Sequence, residues 1–389
     1  MHFHVLGVGS VGCLLAHNLR RILPSTHTIS LLLSPRSPFQ KDCTIKVDSF
    51  GSTTTSNGYL VETSKEAEPQ KKRSQDFEPI QSLFVTLKAQ FTVDALRSLT
   101  NRLSANSTIV LMQNGMGLYE ELIRDVFRNS SQRPHFIQAS NTNGVFTVQP
   151  FHVVHAGIGS IDFGIVPDSK GREFEAGFDD DSIPYSQRRL RLSDITTPTD
   201  VNFARYISLR DTVAALLLLE PLNISWKRYA EIQLTLRRKL AVNAVINPLT
   251  SVMGCRNGQL NRLPPRARIV QNICQETSSI FAAEMRHETA RWLEDMRARG
   301  VDATNMALPS LPKSLSPYSL EAEVDRVVEL TKDNISSMLQ DVRRGRRTEM
   351  AYINGYLVKL GLDHGIWTPY NLALRDLIYL RERIPLDQL

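Results

Sequence analysis

The sequence predicts two domains, an N-terminal α/β domain built on a parallel sheet and an all-helical C-terminal domain. Three observations carry this. Short apolar runs alternate with helical patterns through the first half of the chain, as in strand–helix–strand units. A glycine-rich turn joins the first such run to the first helix. From about Tyr229 onward glycine becomes sparse and long helical patterns follow one another. The expected boundaries are 1–228, with polar insertions at about 49–79 and 165–205, and 229–389.

In order, residues 3–7 read as a short buried strand, and Val11–Leu23 runs at helical period until Pro24 stops it. Thr28–Leu33, Ser82–Leu87 and Ser107–Met112 are further buried strands, and Val93–Leu103 is a helical pattern between two of them. Ser49–Ser56 with Glu62–Pro79, and Asp168–Asp200, are polar enough to read as surface insertions or long loops. Val145–Gly164 alternates apolar and polar residues, which predicts antiparallel strands extending the sheet. Helical patterns then cover Ala230–Ile246, Ala267–Ala298, Leu320–Arg343 and Glu349–Asp363, interrupted by a Pro/Ser-rich segment at Leu308–Tyr318.

Composition excludes several classes. Hydrophobic residues make up 42% and charged residues 22%, as in a soluble globular protein. The apolar run Val213–Leu219 is far shorter than a membrane span requires. With no signal or transit pattern at the start, the cytoplasm is the expected compartment. Cys13, Cys43, Cys255 and Cys274 are scattered, with no metal spacing, so they read as structural thiols and no metal is expected. The net charge is +6, from 46 basic and 40 acidic residues. The basic clusters at 71–73, 237–239 and 343–347 lack interleaved aromatics, so nucleic acid is not an expected partner, and without a spanning run neither is a membrane. A homodimer is compatible with this reading.

Gly7-Val8-Gly9-Ser10-Val11-Gly12 is a G-x-G-x-x-G between an apolar strand and a helix. That context is what turns a weak hexapeptide into a dinucleotide-binding signal. The first glycine permits the tight turn, the second lets backbone approach a pyrophosphate, and the third lets helix and strand pack closely. The helix N-terminus offers free N–H groups and the positive end of its dipole to phosphate. After the second strand comes Leu33-Ser34-Pro35-Arg36, without the acid that would accept from a ribose 2′-hydroxyl. Arg36 is able to pair with a 2′-phosphate through its planar fork, which favours NADPH over NADH. An ordinary loop arginine is the competing reading.

The helical pattern around Lys239 is apolar on most sides, yet Lys239, Asn243 and Asn247 recur every four residues and form one polar stripe. Burying such groups without partners costs roughly 2–7 kcal/mol each, and more for a charge. The stripe is therefore expected to line a cleft or polar interface, a solvent-facing stripe being the alternative. Reduction of a keto group leaves an alkoxide that needs a proton. A partly buried lysine suits that task, and the asparagines suit orientation of a carboxylate or hydroxyl. Asn334, Ser336 and Ser337 form a weaker polar group, with Asn334 and Ser337 expected on one helix face, and Glu349 follows. Lys88 and Asn114 fall after predicted strands, where ligands bind in open α/β sheets.

Four stretches, GVGSVG, LMQNGMG, RKLAVNAVINPLTSVMGCRNG and DNISSMLQDVRRGRRTEMAYINGYL, resemble the ketopantoate reductases. The resemblance implies a Rossmann domain followed by a helical domain like that of 6-phosphogluconate dehydrogenases, in a eukaryotic, fungal-like member. It implies NADPH-dependent reduction of 2-dehydropantoate (ketopantoate), a small 2-keto acid, to (R)-pantoate on the route to pantothenate and coenzyme A. Lys239 then matches the catalytic lysine, and Asn243, Asn247 and Asn257 match substrate-binding asparagines. Asn334, Ser336 and Ser337 match the segment that binds substrate carboxylate and hydroxyl, and Glu349 matches an acid near the cofactor. Lys88 and Asn114 match residues contacting NADPH, and Gly144 lies in a stretch that touches it. Extra length at about 49–79, 165–205 and 298–317 departs from the compact form. That leaves two alternatives, a reductase of another 2-keto acid and a non-catalytic NADPH-binding regulator.

Overall fold

The structure, a computed structural model, describes residues 1–34, 43–63, 78–262, 264–302 and 308–384. The chain divides into two compact units. One comprises Met1–Gln113 with Leu118–Thr235, the other Asn114–Gly117 with Leu236–Leu389.

The first unit contains the strands β1 (His2–Leu6), β2 (Thr28–Leu33), β3 (Ile45–Ser49), β4 (Ser52–Ser56), β5 (Leu60–Thr63) and β6 (Ser82–Val85). These continue with β7 (Thr108–Leu111), β8 (His135–Asn141), β9 (Gly144–Gln149), β10 (His152–Gly157), β11 (Ile161–Ile165) and β12 (Ile224–Trp226). Its helices are α1 (Ser10–Ile22), α2 (Ala89–Ser98), α3 (Leu118–Asp125), the short α4 (Ala176–Asp179) and α5 (Leu192–Ile195), and α6 (Phe203–Leu217). The main sheet runs β5-β2-β1-β6-β7-β8 in parallel, then β11 antiparallel to β8, then β12. The parallel part has the 3-2-1-4-5-6 order of a dinucleotide-binding sheet, whose order reverses between β1 and β6. Strands β2, β6 and β7 read as continuous apolar runs because both faces of the sheet are covered.

A second sheet, β4-β3-β10-β9, packs on the outer side of α1. Gly12 through Leu19 are consequently buried all round the helix, including His17 and Asn18. Strand β4, STTTS, supplies what that burial requires: Ser56 Oγ lies 2.8 Å from His17 Nδ1, and Thr54 Oγ1 lies 3.0 Å from Nε2. Burial pushes the His17 pKa down to about 4 and keeps the ring neutral.

The segment 49–56, read from the sequence as a surface insertion or long loop, thus contains a regular strand with one buried face. The β-branched Thr run pairs as a strand, whose alternate hydroxyls at Thr54 and Ser56 face the buried histidine while Ser52, Thr53 and Thr55 stay exposed. The 145–164 segment is divided: β11 extends the main sheet as expected, whereas β9 and β10 belong to the second sheet. Strand β8 and helix α6 were not read from the sequence. Residues 64–77, within the first expected insertion, lie outside the described residues.

The second unit takes up most of α7 (Tyr229–Met253), then α8 (Pro264–Ala298), α9 (Pro317–Leu330), α10 (Ser337–Arg343), α11 (Asn354–Asp363) and α12 (Pro369–Arg381). Helices α9, α11 and α12 pack on α8, and α11 pairs with α12. The expected helix Leu320–Arg343 is two helices. Thr331–Ser336 breaks it, and Ser336 caps α10 by accepting from Leu339 N at 3.1 Å. Helix α7 instead runs straight through Pro248. Among the described residues, no helix is long and apolar enough to cross a membrane.

Candidate active site

In the first unit the glycine turn behaves as its spacing requires. Gly7 has φ +97°, and a Cβ there would meet Leu87 N at 2.6 Å. At Gly12 a Cβ would sit 2.1 Å from the Gly7 carbonyl oxygen. Gly9 differs: a Cβ built on it meets nothing within 4 Å, so its bareness leaves room for something outside the chain. Gly9 also caps α1 without a side-chain bond, and no acid occupies the first turn. The N–H groups of Ser10 and Val11 therefore open a helix end suited to phosphate. Val8 packs against the core behind the turn.

Lys88 is the N-cap of α2, just past the carboxyl end of β6, on the same sheet edge as the glycine turn. Gly144 follows the carboxyl end of β8, its backbone close against Gly157. Ser34 follows β2, and Arg36 lies outside the described residues.

In the second unit α7 carries Lys239 and Asn243 partly buried and Asn247 buried, with apolar neighbours Leu240, Ala244 and Ile246 in the core. Part of Lys239 is still reached by water, but protein crowds the ammonium, and this desolvation pushes its pKa down to about 8. Glu349, itself buried, opposes that shift by favouring the charged lysine. Glu349 Oε2 in turn accepts from Asn114 Nδ2 at 3.2 Å. The Asn114–Gly117 loop is fitted to this place. Met116 N donates to the Tyr352 carbonyl at 2.9 Å, and a Cβ at Gly115 would collide with that same oxygen. Tyr352 was not singled out from the sequence; the double glycine in NGMG is the signal that a close partner existed.

Asn257 is buried, with its N–H on the Asn334 carbonyl at 3.1 Å and its Nδ2 on Thr331 Oγ1 at 2.9 Å. Asn257 Oδ1 is buried without a hydrogen-bond partner among the described residues. Asn334 does not share a helix face with Ser337, as the spacing had suggested: it precedes α10, in the turn that the Ser336 cap ends. Both Asn334 and Ser337 are exposed, whereas Ser336 is buried and its Oγ accepts from Thr250 Oγ1 at 2.7 Å. Thr250, also missed, thus ties this cap to the helical turn following Asn247.

Two other polar clusters have structural explanations. Arg237 and Arg238 pair with Glu284 and Glu323. His2, His4 and Glu62 lie within 4.8 Å of one another, but Arg102 donates to Glu62 at 2.7 Å. Burial raises the Glu62 pKa, and the bonds from His4 and Arg102 outweigh it and hold the carboxyl at about 2, as in a partly buried ion pair.

A sheet in this strand order, continued by helices that present an ammonium and amides, defines a Rossmann-type oxidoreductase with a helical domain. The chain belongs to the ketopantoate reductase family. Residues 3–168 match the family described as Ketopantoate reductase PanE/ApbA, and residues 231–382 match its C-terminal part. The 2-dehydropantoate 2-reductase of Shigella flexneri is 29% identical over 300 residues, 77% of this chain and 74% of that protein. The probable 2-dehydropantoate 2-reductase of Schizosaccharomyces pombe is 26% identical over 393 residues, 99% of this chain and 97% of that protein. That of Saccharomyces cerevisiae is 26% identical over 371 residues, 92% and 87% of the two chains.

Solved structures share the fold. D-mandelate dehydrogenase with NADH and anilino(oxo)acetate has TM-score 0.67 at 16% identity, covering 98% of this chain and 99% of that one. The probable 2-dehydropantoate 2-reductase of Bacillus subtilis has TM-score 0.58 at 21% identity, covering 98% and 100%. A dimeric ketopantoate reductase from Staphylococcus aureus has TM-score 0.59 at 15% identity, covering 98% and 99%.

Proposed function

We propose that the chain reduces 2-dehydropantoate to (R)-pantoate with NADPH, Lys239 donating the proton. The observation that carries the reading is the crowded, titratable lysine on α7, whose pKa of about 8 keeps it charged yet ready to give up a proton near neutrality. NADPH would supply a hydride to the keto carbon. The carbonyl π pair then moves onto oxygen, which takes a proton from Lys239 Nζ, and the neutral amine recovers one from water. Before transfer, the ammonium stabilises the developing oxyanion. Glu349 favours the charged lysine, and Asn114 holds Glu349 in turn.

The residues present fit the cofactor. Gly7, Gly9 and Gly12 with the open end of α1 suit the pyrophosphate, and Lys88 and Gly144 lie on the same sheet edge. Arg36, with no acid beside it, supports the 2′-phosphate. Asn243, Asn247, Asn257, Asn334, Ser336 and Ser337 supply amides and hydroxyls for the substrate carboxylate and hydroxyl. The unpartnered Asn257 Oδ1 supports an outside donor there. A homodimer is proposed from the dimeric S. aureus relative, and sedimentation of the purified protein tests it.

Purified protein should oxidise NADPH on addition of ketopantoate. Lys239→Ala should lower kcat by roughly 10²–10⁴-fold, the range of general-acid contributions, while the fold is kept. Undiminished turnover in that variant would remove Lys239 from the role. Comparing kcat/KM over a panel of 2-keto acids decides whether ketopantoate is the preferred substrate.

A further inference from the structure

Helix α7 continues through Pro248, one residue past Asn247. Proline has no N–H, so the carbonyl four residues earlier, that of Ala244, loses its helical donor. Ala244 is the neighbour of Asn243 and is fully buried, so water does not replace the missing bond. The replacement comes from another helix: Asn354 Nδ2, at the start of α11, donates to the Ala244 oxygen at 2.9 Å. The same Nδ2 donates to Asn371 Oδ1 on α12 at 3.0 Å. Asn371 Nδ2 then donates to Glu276 Oε2 on α8 at 2.7 Å. That carboxylate also accepts from the backbone N–H groups of Tyr370 and Asn371, at 2.8 and 3.0 Å, and so closes the N-terminus of α12. Asn354 and Asn371 have no exposure at all, and Glu276 is 8% exposed.

We propose that Asn354, oriented by Asn371 and Glu276, is a positioning residue for the reaction. It takes the place of the helical donor that Pro248 removes within α7, between the turns that carry Asn243 and Asn247. Asn354 also begins the helix that follows Glu349, so one amide fixes the substrate-facing stripe relative to the segment that bears the acid. Glu276 acts at the far end of the chain of bonds by fixing which way the Asn371 amide points, and hence which Asn354 atom faces Ala244. This rests on the proposed function above.

The test uses the full chain with Asn354→Ala, Pro248→Ala and the double variant, and Glu276→Gln as a shape-preserving second probe. Pro248→Ala restores an N–H to α7, which satisfies Ala244 from within the helix. Asn354→Ala should lower kcat/KM for ketopantoate by roughly 10–100-fold, the scale of a small misplacement, with KM for NADPH within about twofold of wild type. In the Pro248→Ala background the same change should cost only about threefold. Glu276→Gln should show the same kinetic pattern as Asn354→Ala, more weakly. Wild-type kinetics in Asn354→Ala with only a lowered Tm would overturn the positioning role, as would an undiminished loss in the double variant. Should Asn354→Ala not fold, the Glu276→Gln kinetics decide in the same way. The wild-type chain is assayed first: inertness there overturns the proposed function itself, whereas an active wild type with a kinetically silent Asn354→Ala overturns only this inference.

Discussion

Raising the pH should switch off the proposed proton donor where an ordinary lysine would still be charged. With the Lys239 pKa pushed from 10.5 to about 8, the ammonium form falls from about nine tenths at pH 7 to about one tenth at pH 9. Catalysis that needs this proton should therefore lose roughly tenfold in kcat/KM per pH unit above about 8. A lysine at its ordinary value would show no such limb below pH 10. Burial is the larger cause and Glu349 opposes it, which sets the sign for a second measurement. Glu349→Gln removes the favourable charge and should move the limb below 8, by roughly one unit for a close opposite charge. Lys239→Arg, charged throughout, should lose both the limb and most of kcat. The assay is NADPH oxidation at saturating cofactor across about pH 6 to 10. A wild-type profile with no limb up to pH 10, or a limb that Glu349→Gln leaves unmoved or shifts upward, would refute the reasoning. Stability carries the opposite slope: the unfolded chain holds more protons between about pH 8 and 10.5, so this group's contribution to stability rises with pH through that window.

The glycine turn separates packing from binding. Gly9→Ala meets no protein atom, and Gly9 has φ −84°, so Tm should be unchanged while KM for NADPH rises at least about tenfold. Gly12→Ala should instead lower Tm, since its Cβ overlaps the Gly7 carbonyl; equal Tm losses in both variants would argue against a cofactor at Gly9. Arg36→Ala should weaken NADPH binding more than NADH binding in a fluorescence titration, and equal effects would remove the arginine from cofactor choice. His17, held near pKa 4 against an ordinary 6.5, gains its proton on unfolding. Its contribution to stability is thus present above pH 6.5 and is lost as pH falls towards 4, by roughly 3–4 kcal/mol at ~1.4 kcal/mol per unit. Urea unfolding of His17→Gln should show a shallower loss over that window, and an unchanged slope would count against the buried neutral ring.

Much of the candidate site was legible because its signals are local. The strand–glycine–helix junction follows from steric rules that act within a few residues, and Gly7 and Gly12 obey them. The Lys239/Asn243/Asn247 stripe follows from helical period alone, set against apolar neighbours that announced burial. The Asn334/Ser337 reading failed for an equally local reason, because a helix was extended backwards across a serine that caps it.

What the sequence determined by itself was therefore the order of strands and helices around the glycine turn and which residue types share a face of α7. Tertiary structure decided the rest. Only packing shows that STTTS is a strand serving a buried histidine, because hydroxyl-rich strands and loops look alike until their partners are known. Only packing lowers the lysine to about 8, brings Asn114 to Glu349 across 235 positions of chain, and lets Asn354 satisfy a carbonyl that Pro248 orphaned. Desolvation and hydrogen bonding act through space, and a sequence records only neighbours along the chain.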